Sequence, residues 1–193
     1  MKNIVLATSN PHKLQEINAI ANHHNVFFEP VGKGFDPVEN GKTFEENAYI
    51  KASDAAKLMN KAALADDTGL CVEYLGDAPG IYSARYADTQ EEKISKLLNE
   101  LNGIPIEKRK AYFICVMILA APDGKILNKT VGKIEGYIDT APHGVKGFGY
   151  DPIFFIPKLN KTMAQLSEDE KNTISHRANA LLPMLKFIQT IEK

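Results

Sequence analysis

Ala62-Ala63-Leu64-Ala65-Asp66-Asp67-Thr68-Gly69-Leu70 is the stretch on which the reading of this chain turns. Its apolar run between Lys61 and two adjacent carboxylates reads as a short buried strand, with Gly69 closing it. In open α/β sheets ligands bind beyond the carboxyl ends of strands, so Asp66 and Asp67 are expected to emerge at a crevice. Side chains alternate along a strand, so only one of the pair can point squarely into that crevice. Asp, Thr and Gly are also turn residues, and taken alone the stretch reads more readily as a turn.

Working outward, Ile4-Val5-Leu6-Ala7 reads as a strand, and Thr8-Ser9-Asn10-Pro11 as the start of a helix. Pro11 suits the first helical position, with Asn10 or Ser9 as its cap. Leu14, Ile17, Ile20 and Ala21 share one face of that helix. A strand feeding a helix N-terminus can hold an anion, because free N–H groups and the helix dipole both favour negative charge. Lys13 adds a cation in the first turn.

Thr43 and Glu46 form a capping-box pattern for a helix with a small-residue face of Ala48, Ala52, Ala55 and Ala56. Glu39 lies in the loop before it, and as a metal ligand it needs a second carboxylate, for which Asp67 is the candidate. Ala111 to Ala121 reads as a strand crossing a sheet, and Pro122-Asp123-Gly124-Lys125 as a turn into an antiparallel return, so the sheet is expected to be mixed. Gly144 to Pro152 interleaves glycines with Phe148 and Tyr150, a loop that can set backbone and rings against a planar ligand. Ser167 and Glu170 repeat the capping box. Ser175 caps a last helix, leaving Pro183 inside it and His176 and Arg177 in its first turn.

Bulk properties narrow the class. With 193 residues and 44% hydrophobic content, the chain can bury a full core, read as one domain over 1–193 with two lobes. The 23 Lys and Arg nearly balance 24 Asp and Glu, which argues against nucleic acid as partner. Cys71 and Cys115 lack metal-type spacing and fit a reducing cytoplasm. The longest apolar run is too short to span a bilayer, and the amino terminus reads as strand, so no membrane role is expected.

Six motifs stand in one order: Thr8-Ser9-Asn10-Pro11-His12-Lys13-Leu14-x-Glu16; Thr43-Phe44-x-Glu46-Asn47-Ala48; Ala65-Asp66-Asp67-Thr68-Gly69-Leu70; Ala78 to Tyr86; Gly147-Phe148-Gly149-Tyr150-Asp151-Pro152; and Glu170-Lys171-Asn172-x-x-Ser175-His176-Arg177. Through them the chain resembles the inosine triphosphate pyrophosphatase family, from Asn3 to beyond Arg177. That family hydrolyses purine nucleoside triphosphates outside the standard set (ITP, dITP, XTP) to monophosphate and pyrophosphate.

The resemblance implies an elongated, two-lobed α/β fold with a mixed central sheet, a nucleotide cleft between the lobes, Mg²⁺ dependence and a homodimer. It puts the triphosphate on Thr8, Ser9, Asn10, Pro11, His12 and Lys13, and the metal on Glu39 and Asp67. Asp67 is also the implied proton acceptor, and Thr68 contacts substrate. Phe148, Gly149, Tyr150, Asp151, Lys171, His176 and Arg177 would hold base and sugar. Arg177, a permanent donor, would face the six-oxo group of hypoxanthine or xanthine. The alternatives are a pyrophosphatase for other modified nucleotides and a non-catalytic nucleotide sensor. Lys13, Glu39 and Asp67 argue against the sensor, which needs no water activation.

Overall fold

The computed structural model describes residues 2–32 and 34–191. Its strands are β1 (Lys2–Leu6), β2 (Val26–Pro30), β3 (Ala63–Val72), β4 (Ala78–Pro79), β5 (Lys110–Ala120), β6 (Ile126–Ile138), β7 (Phe154–Ile156) and β8 (Lys161–Thr162). The helices are α1 (Pro11–Ala21), α2 (Phe44–Met59), α3 (Gln90–Glu100), α4 (Glu168–Ile174) and α5 (His176–Thr190). The strands form one sheet in the order β2-β1-β3-β5-β6-β7-β8, with β4 paired to β3. β1 runs parallel to β2 and β3, whereas β6/β7 and β7/β8 are antiparallel. The expected mixed α/β sheet is therefore present.

Two compact units divide the chain. The first comprises Met1–Asp67, Cys115–Gly132 and Ser175–Lys193, and the second Thr68–Ile114 and Lys133–Ile174. In the first unit, alternation along the strands sorts the core into two layers. Ile4, Leu6, Leu64, Cys115, Met117 and Leu119 pack with α1 and α5 residues such as Ile17, Ile20, Leu181 and Leu185. Val5, Ala7, Ala63, Ala65, Ile118 and Ala120 pack with Ala48, Ala52, Ala55 and Ala56 of α2. Alanine on both sides lets the helix lie close to the sheet. The second unit has its own core, with Leu70, Val72, Leu97, Leu101, Phe113, Phe154 and Ile156 buried together.

Local rules set the helix ends. Asn10 is the cap of α1, its Oδ1 accepting from His12 N at 3.0 Å and Lys13 N at 3.4 Å, with Pro11 first in the helix. Thr43 Oγ1 accepts from Glu46 N at 3.1 Å. Ser167 and Glu170 bond reciprocally before α4, and Ser175 Oγ accepts from Ala178 N at 3.1 Å. α5 runs on through Pro183.

One expectation fails. β3 does not end at the carboxylates but continues through Thr68, Gly69, Leu70 and Cys71 to Val72, so Asp66 and Asp67 lie in mid-strand. Gly69 is a strand residue here, because Leu70 and Val72 beyond it belong to the second core. The strand that ends is β1, whose last pair with β3 is Leu6 with Leu64. Beyond that pair β3 has no β1 residue beside it, and the carboxylates follow after Ala65.

Candidate active site

Asp66 and Asp67 point to opposite faces of the sheet in the first unit. Asp66 follows Leu64 onto the α1/α5 face, where its side chain is 1% exposed and Lys13 Nζ lies 2.8 Å from its Oδ2. Arg177 Nη2 is 3.9 Å from the same oxygen, and Arg177 Nη1 pairs with Glu16. Burial opposes the ionisation of Asp66, but Lys13, Arg177 and Lys51 together outweigh it and hold the carboxyl well below the usual range.

Asp67 follows Ala65 onto the α2 face. Lys51 Nζ lies 3.4 Å from its Oδ1, and Asn47 Nδ2 donates to its Oδ2 at 3.2 Å. Lys51 Nζ also lies 3.1 Å from Glu39 Oε1. Glu39 and Asp67 thus converge on one ammonium. Burial raises the Asp67 pKa, Lys51 and Lys13 pull it down, Glu39 and Asp66 add to the rise, and the net direction is up. Burial disfavours the charged form of Lys51, yet Asp67, Asp66 and Glu39 prevail and keep it an ammonium. An all-oxygen pair focused on a cation suits a hard divalent ion.

The loop ahead of α1 leaves its N-terminus open. Ser9, Pro11 and His12 are exposed and Thr8 and Asn10 half-buried, with Thr8 Oγ1 accepting from Asn10 N at 3.1 Å. His12 N and Lys13 N are both held by the Asn10 side chain and Pro11 has no N–H, so the attraction this end of α1 offers an anion comes from the helix dipole and Lys13.

In the second unit, Asp151 organises the glycine–aromatic loop. Its Oδ2 accepts from Phe148 N at 2.9 Å and from Lys171 Nζ at 2.7 Å. Lys171 Nζ stands 4.8 Å from the centroid of the half-buried Phe148 ring. Gly147, at φ +74°, leaves no room for a Cβ beside the Asp151 carboxylate. Gly149 N donates to Gln90 Oε1 at 2.9 Å. The Tyr150 ring is buried, and its hydroxyl donates to Ser83 O at 3.0 Å, so this side chain anchors the loop. Thr68, half-buried on β3, opens the same unit.

The residues singled out from sequence therefore form three groups. Thr8 to Lys13, with Arg177, gather around α1 and Asp66; Glu39 meets Asp67 through Lys51; Phe148, Asp151 and Lys171 interlock. His176 is buried at the head of α5, and Arg177, 1% exposed, is engaged by Glu16 and Asp66. Lys51 escaped the reading of the sequence, and Asn47 and Glu16 stood in its motifs without a role. Asn47 and Lys51 stand four apart on the alanine face of α2, and two polar side chains on a face that packs against a sheet were the available signal.

Comparison with known proteins identifies the family. The model of the Ham1 family matches residues 4–187. A dITP/XTP pyrophosphatase of Staphylococcus epidermidis is 46% identical, covering 98% of this chain and 97% of that protein. One from Bacillus subtilis is 45% identical over 98% of each. The solved structure of a HAM1 protein from Coxiella burnetii superposes with a TM-score of 0.89 at 40% identity, covering 99% of this chain and 100% of the other. The resemblance carried by the six motifs is borne out.

Proposed function

Because the chain belongs to the Ham1 family, we propose that it hydrolyses dITP, XTP and ITP to the nucleoside monophosphate and pyrophosphate. The observation that carries the proposal is the convergence of Glu39 and Asp67 on a single cation, in the unit that also carries Lys13 in the first turn of α1. Curated names of close relatives supply the substrate class; the side chains supply the chemistry.

In this reading, Lys13 and the dipole of α1 draw the phosphates to the head of that helix, with the exposed Ser9 and His12 beside them and Thr8 and Asn10 shaping the loop. Asp67 orients the attacking water and takes its proton. Water oxygen bonds to the α-phosphorus while the bridge to the β-phosphate breaks, and pyrophosphate leaves. Lys51 keeps a positive charge beside both carboxylates. Phe148 stacks on the purine, and Lys171, fixed by Asp151, donates at its edge. Thr68, His176 and Arg177 complete the substrate contacts.

Glu39 and Asp67 would hold Mg²⁺, which when bound lowers the pKa of water and neutralises charge on the leaving group. Among the described residues no three His, Cys, Asp or Glu side chains form a metal cage, so the ion would rely on these two carboxylates and on substrate oxygens.

The proposal treats residues 1–193 as one pyrophosphatase domain acting as a homodimer in the cytoplasm. Cys71 and Cys115 are buried free thiols, in keeping with a reducing compartment. No helix among the described residues is long and apolar enough to cross a membrane. Pyrophosphate release from a panel of dITP, XTP, ITP, GTP and ATP, with and without Mg²⁺, tests the reading. Metal-dependent release confined to the first three supports it, and release from none of them refutes it.

A further inference from the structure

Asn47 is fully buried near the start of α2, and its amide joins three separated segments. Its Oδ1 accepts from Gly41 N at 2.9 Å, in the loop that carries Glu39. Its Nδ2 donates to Asp67 Oδ2 at 3.2 Å, on β3. The backbone N–H of Gly41 can only donate, so the amide oxygen must face it and the NH₂ must face Asp67. The loop passes flush over the helix at this point. A Cβ on Gly41 would lie 2.6 Å from Asn47 Oδ1 and 2.7 Å from Glu46 Cβ.

The consequence falls on the two oxygens of Asp67. A neutral donor holds Oδ2, while Oδ1 faces Lys51 and, through it, Glu39. We propose that Asn47 is a positioning residue for the hydrolysis. It fixes which Asp67 oxygen faces the cation and the water, and it sets the Glu39 loop at the matching distance through Gly41. The inference rests on the assignment of Asp67 under the proposed function. Supporting groups that orient a ligating or basic carboxylate typically contribute roughly 10- to 100-fold in activity or metal affinity.

A double-mutant cycle tests it. Turnover of XTP, KM and the Mg²⁺ concentration for half-maximal rate are measured for the parent, Asn47→Ala, Asp67→Asn and the double variant, with enzyme in excess where rates are slow. Asn47→Ala should lower kcat roughly 10- to 100-fold and raise the Mg²⁺ requirement, with KM for nucleotide little changed. In the Asp67→Asn background the same change should cost less than about threefold, because its target is already gone. Equal fold-losses in both backgrounds would overturn the role of Asn47, as would parent-like kcat and Mg²⁺ dependence in Asn47→Ala. Parent-like turnover by folded Asp67→Asn would instead overturn the assignment of Asp67 on which the inference rests. Should Asn47→Ala fail to fold, Asn47→Asp keeps the volume and the Gly41 bond but sets an acceptor against Asp67. It should show the same loss of kcat, and parent-like kinetics in this variant would refute the role.

Discussion

Asp66 and Asp67 are sequence neighbours whose carboxylates serve different networks on opposite faces of one strand. Asp66 is closed off, with Lys13 Nζ at 2.8 Å and a side chain 1% exposed. Asp67 meets Lys51 at 3.4 Å and Asn47 at 3.2 Å, and Lys51 reaches Glu39. Strand alternation alone separates an ion-pair anchor from the carboxylate proposed to act on water.

The two substitutions to asparagine should therefore act oppositely. Asp66→Asn leaves the buried Arg177 and Lys13 without their shared carboxylate, which should cost about 3 kcal/mol of stability in urea unfolding. Asp67→Asn removes a charge that burial disfavours and should lose far less. Equal shifts of the two unfolding midpoints would contradict the division.

Glu39→Gln should raise the Mg²⁺ concentration for half-maximal rate, because a ligand carboxylate loses its charge. The neighbouring acids have other partners: Glu45 pairs with Lys129 at 2.7 Å, and Glu46 accepts from Lys42 N at 2.5 Å. Superimposable Mg²⁺ titrations of variant and parent would move the search for the ligand to those two residues.

Much of this architecture was legible locally. Asn10, Thr43, Ser167 and Ser175 cap the helices that their spacing announces, since a cap depends on residues two or three apart. The extent of β3 was not legible, because Gly69 looks like a terminator until Leu70 and Val72 find a core built from distant segments. Lys51 and Asn47 were missed for a similar reason. Their partners Glu39, Gly41 and Asp67 lie on other elements, and helix periodicity marks only that two polar groups occupy a packed face. The engagement of Arg177 by Glu16 and Asp66 was not legible either, because it depends on α1 meeting α5.

Phe148→Ala should weaken XTP and ATP together, lowering kcat/KM for each by roughly tenfold, since a ring stacks on any purine. The ratio of the two substrates should hold. A changed ratio would show that Phe148 selects the base rather than merely supporting it.

The central claim is that Asp67 serves attack at the α-phosphorus of a purine nucleoside triphosphate. Product analysis of XTP turnover by parent and Asp67→Asn addresses it most directly. The parent should yield monophosphate and pyrophosphate, and folded Asp67→Asn should do so about 100-fold or more slowly. Diphosphate with orthophosphate as products, or parent-like turnover in folded Asp67→Asn, would contradict the account.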